Sequence, residues 1–63
     1  MVNKEFVVTG HLQQKNDGQT LILHRSFMTI SRETAIENFR KHFEPDLKVI
    51  KIFSVVDQYG NIV

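Results

Sequence analysis

The sequence contains no cysteine and no tryptophan, and only one proline and three glycines among 63 residues. Without cysteine, neither a disulfide nor a thiolate zinc site can brace the fold. This matters because a chain so short buries only about 60% of the surface its unfolded form exposes, and small domains often need such braces. An excess of one charge is also missing: eight Lys and Arg against seven Asp and Glu leave a net +1. Nucleic-acid binders usually carry a basic excess or stripe, so the composition speaks against that class. No apolar run approaches the roughly 18 residues of a membrane span. The opening Met1-Val2-Asn3-Lys4-Glu5 lacks the charged and apolar regions of a signal peptide. The expectation is a cytoplasmic protein, residues 1–63 forming a single small α+β domain, with no membrane contact.

What is present reads as a hairpin, a helix and a strand. Lys4 to Gln13 is rich in residues that suit a pleated surface, among them Phe6, Val7, Val8, Thr9 and Leu12. Lys15-Asn16-Asp17-Gly18 is a turn, and Asp17-Gly18 matches the two-residue type I′ signal. Gln19 to Met28 is then a second strand. With Asp17-Gly18 as the turn, Leu12 falls opposite Leu23 and Val8 opposite Phe27. One face then carries Phe6, Val8, Leu12, Leu21, Leu23 and Phe27. The other carries Val7, Thr9, His11, Ile22, His24, Ser26 and Met28, and a one-residue slip would mix the two sets.

Ser31 is placed to cap a helix, with Glu33 suited to its positive start. Ala35, Ile36, Phe39 and Phe43 form the apolar stripe. Pro45 disfavours helical geometry at Glu44, so the helix should stop there. Lys48 to Val56 is a third strand, apolar on both sides. Simple alternation puts Ile50, Ile52 and Val56 on one face and Val49, Lys51, Phe53 and Val55 on the other. A right-handed crossover through the helix then gives a ββαβ fold: a three-stranded antiparallel sheet of order 2-1-3, helix on one face. Ile62-Val63 can at most begin a fourth strand, making the layout ββαβ(β).

Catalytic chemistry finds little footing. In this register His11 and His24 face each other and could share a metal, but no third ligand is near and a polar surface pair explains them more simply. His42, Glu44 and Asp46 gather where the helix ends. There an imidazole suits the negative helix terminus and Asp46 suits a turn. No serine sits in a nucleophile elbow and no glycine-rich phosphate loop exists. No enzyme, metal or cofactor is expected.

The informative feature is the sheet face away from the helix. Val7, Ile22, Met28, Val49, Phe53 and Val55 are expected there, around Thr9, His11, His24 and Lys51. An apolar patch of that kind on a small domain marks an interaction surface, for a protein partner or for a second copy of the chain as a homodimer.

Three stretches carry a likeness to known proteins: Phe6-Val7-Val8-Thr9-Gly10-His11-Leu12, then Phe27 through Glu37, then Val49-Ile50-Lys51-Ile52. In layout the chain resembles two small families, the archaeal and eukaryotic ribosomal protein L20a type and the phage-encoded inhibitor of bacterial RNA polymerase. The ribosomal family is markedly basic, unlike this chain, and the phage inhibitor has a more acidic helix start, where here Arg32 precedes Glu33. The second resemblance implies a non-enzymatic protein-binding module, an accessory protein of a phage or mobile element that inhibits a host enzyme. The first implies the alternative, a small RNA-binding or ribosome-associated accessory protein. Independently of that likeness, the chain's one basic concentration, Arg40, Lys41, Lys48 and Lys51, would supply the phosphate contacts.

Overall fold

The computed structural model describes residues 3–63; Met1 and Val2, with which the signal-peptide reading begins, lie outside them. The elements are β1 (Lys4–Gln14), β2 (Thr20–Thr29), α1 (Arg32–Phe43) and β3 (Leu47–Asp57). The strands form one antiparallel sheet of order β2-β1-β3. This is the expected α+β architecture, with each boundary within a residue or so of the sequence reading.

The hairpin pairs Leu12 with Leu21, Phe6 with Phe27 and Val8 with Arg25. That is two residues away from the expected register. The cause lies in the turn. A type I′ turn needs positive φ at both central residues, and only Gly18 supplies it, at φ 75. Asp17 instead uses its Oδ1 to accept the Gln19 amide at 3.0 Å. The connection therefore spans Lys15 to Gly18, closed by the Gln14 amide on the Gln19 carbonyl at 2.7 Å and the Gly18 amide on the Gln14 carbonyl at 3.0 Å. A shift of two preserves the alternation, so both faces of the hairpin keep their expected members.

The helix begins where the sequence indicates. Ser31 is extended, with φ −153 and ψ 162, and its Oγ accepts the Thr34 amide at 3.2 Å. Ala35 and Phe39 are fully buried against the sheet, with Ile36 and Phe43 at the margin of the core. Glu44 still holds helical angles (φ −60, ψ −30), and its amide donates to Arg40. The helix stops because Pro45 has no amide to offer the next turn. From the hairpin loop, the Lys15 ammonium donates to the Glu44 carbonyl at 2.7 Å, a cation at the negative helix end.

The third strand departs from simple alternation. Thr9 pairs with Ser54 but Gly10 with Ile52, and His11 pairs with Lys51 but Leu12 with Val49. Phe53 and Ile50 are thus extra residues, one at each of two β-bulges. The core face of β3 reads Val49, Ile52, Val55, a spacing of three that no regular strand has. Val8, Leu12, Phe39 and Val55 are the largest fully buried side chains. Beyond β3 the chain turns at Asp57, whose Oδ1 accepts the amides of Tyr59 and Asn61, both at 2.9 Å. Ile62 then makes one bridge to Val56, the bare beginning of a fourth strand.

Candidate functional site

The bulges decide who lies on the open face. Val49 and Val55, expected there, are 9% and 1% exposed and belong to the core. Val56, expected beneath the helix, pairs with Val7 on the open side. Of the other residues expected to remain on the helix-covered face, Ile52 packs against the core while Ile50 stays exposed at its bulge.

Val7, Thr9, His11, Ile22, His24, Met28, Lys51 and Phe53 are left as candidates. Thr9 pairs with His24 and with Ser54, His11 with Ile22 and with Lys51, and Met28 with Glu5. His11 and His24 are therefore diagonal neighbours rather than an opposed pair. Among the described residues, no three His, Asp or Glu side chains gather as metal ligands do, and no pocket opens.

The centre of the face is an aromatic stack. The rings of His11 and Phe53 lie 5.8 Å apart and 12° from parallel, and the Lys51 ammonium sits 5.7 Å from the Phe53 centroid. Phe53 reaches this position because it bulges out of the ladder beside His11. It is 47% exposed, and Ile22 and Met28 are each 63% exposed. Sequence reasoning placed Phe53 on this face for the wrong reason: one bulge inverts the alternation and the second restores it, which no local composition signals.

The four basic residues do not form one surface. Arg40 and Lys41 ride on α1, whereas Lys48 and Lys51 pair with Gln13 and His11 on the opposite side of the sheet. Lys41 is moreover engaged by Glu37 at 2.8 Å.

Among the described residues, no helix is long and apolar enough to cross a membrane. No protein-family model, curated protein or solved structure matches the chain.

Proposed function

We propose that this chain is a non-enzymatic protein-binding module that docks its partner on the open sheet face. The supporting observation is the His11–Phe53 stack under Lys51, beside the exposed Ile22 that pairs with His11, on a face that also exposes Met28 further along β2. A half-exposed aromatic ring held by neighbours and rimmed by polar groups suits a binding anchor: its conformation is fixed before contact, so docking costs little side-chain entropy. In the narrower form of the proposal the module is a phage or mobile-element accessory protein, and the docked partner is a host enzyme whose activity falls on binding.

Affinity capture with the intact chain and with a Phe53→Asp, Ile22→Asp variant tests this, after circular dichroism shows that the variant folds. Partners held by the native chain and lost from the folded variant are expected. Identical captures from both would sink the proposal. Capture of RNA instead, weakening steeply with salt and with Lys48→Glu and Lys51→Glu, would move the face to nucleic-acid binding.

A further inference from the structure

The two edges of the sheet are built differently. On the β3 edge, Ile50 and Phe53 interrupt the ladder, Ile62 bridges Val56, and the Val63 amide donates to the Val55 carbonyl at 2.9 Å. Bulges and covering segments are how sheets blunt an edge. The β2 edge has neither. Its pairing with β1 runs from Thr29 to Thr20 without a shift, and its ten residues include no proline, no glycine and one formal charge, Arg25.

The direction of its free backbone groups follows from the ladder. The Gln14 amide bonds the Gln19 carbonyl, so hydrogen-bonded pairs recur at every second residue: Leu12 with Leu21, Gly10 with Leu23, Val8 with Arg25, Phe6 with Phe27. The amides and carbonyls of Thr20, Ile22, His24, Ser26 and Met28 therefore point outward. On the helix side, Leu21, Leu23 and Phe27 are only partly buried, because one helix does not cover the edge.

We propose that β2 pairs antiparallel with β2 of a second copy of this chain, across a two-fold axis at His24, giving a continuous six-stranded sheet. Opposed residues in an antiparallel pair share a face, so the axis must fall on a residue. Centred on Arg25, it would oppose two guanidinium groups. Centred on Leu23, it would leave Met28 beyond the partner strand. Centred on His24, it uses every outward group, pairing Thr20 with Met28 and Ile22 with Ser26. On the helix side it also sets Leu21 of each copy against Phe27 of the other, extending each core over its uncovered margin. The edge contact is made by the backbone groups of β2, on which the open-face side chains Ile22, His24 and Met28 also sit, whereas the docking anchor Phe53 lies on β3. Phe53→Asp alone therefore tests the open face and Ser26→Lys the edge, and either reading can fail without the other.

Sedimentation equilibrium across micromolar to millimolar concentration is expected to show twice the mass of one chain. Opposed hydrogen-bonded residues lie about 5.5 Å apart, within disulfide reach, so His24→Cys should cross-link on mild oxidation at least about tenfold faster than Ile50→Cys. The native chain has no cysteine to confuse the result. Ser26→Pro removes an outward amide that the monomer's own ladder does not use, and Ser26→Lys places a charge at the edge. Each should abolish the dimer while keeping the circular dichroism of the native fold, and if the proline variant unfolds, the lysine variant decides. The proposal is overturned by a chain monomeric throughout, by species larger than a dimer, by a dimer that survives Ser26→Lys, or by a monomer whose β2 amides become protected only with a foreign chain.

Discussion

Phe39 stands directly on Gly10. A Cβ added to Gly10 would lie 2.8 Å from Cε1 and 2.9 Å from Cζ of the ring. Gly10 has no positive φ, so glycine is required here by space rather than by backbone freedom. In the central strand it forms the floor of a niche that the one fully buried aromatic of the helix fills.

Gly10→Ala is therefore expected to destabilise the fold by about 1–3 kcal/mol, as overpacking does in close-packed cores. The shift in melting temperature should be roughly 4–8 °C per kcal/mol for a domain of this size. Phe39→Leu trims the colliding ring, so the double variant should lose less than the sum of the two single losses. Urea denaturation of the four proteins measures this, and strict additivity would show that the contact does not constrain Gly10.

The hairpin turn offers a second test. Gly18 has φ 75, while nothing comes closer to its added Cβ than Gln13 Nε2 at 3.7 Å. The penalty at Gly18 is thus conformational where at Gly10 it is steric. Gly18→Ala should cost about 1 kcal/mol. Gly18→Asn should cost visibly less, since asparagine tolerates the left-handed region. Thermal melts of both variants make the comparison, and equal losses would contradict the assignment.

Glu37 and Lys41 form an exposed i,i+4 pair at 2.8 Å. The hydrogen bond from Lys41, then its charge, holds the Glu37 carboxyl below its ordinary 4.5, and the same contact holds the Lys41 ammonium above its ordinary 10.5. A depressed carboxyl contributes stability above its unfolded range and loses it as pH falls through the lowered value. A raised ammonium contributes below its unfolded range and loses it as pH rises through the raised value. The small contribution of the pair therefore spans neutral pH and disappears at both extremes. In an NMR titration, the Glu37 midpoint should rise in Lys41→Met; an unmoved midpoint would count against the pairing.

These residues also show why some of the fold was legible and some was not. The helix start is local chemistry: Ser31 and Thr34 are three apart, and their contact needs nothing else. The hairpin faces are nearly local, because the turn length changed the register by an even number and left the alternation untouched. The β3 faces are not local. Whether Phe53 counts in the ladder depends on how β3 meets β1, a long-range pairing. The candidate face was accordingly legible on the hairpin, from Val7 to Met28, and misread on β3, where Val49 and Val55 turn inward and Val56 outward. The niche at Gly10 left no mark beyond a glycine in a strand, a known sign of close approach.

The unlike edges carry a consequence in the language of polymer chemistry. A molecule with two reactive ends adds copies indefinitely and forms a fibre; a molecule with one end is a chain terminator, and growth stops at the first addition. Ile50 and Phe53, which bulge from β3, and the Ile62–Val63 segment laid along Val55 and Val56 together remove the second reactive end. Two residues that contribute no rung to the ladder, with one short covering segment, would thus set the upper limit on how many copies assemble.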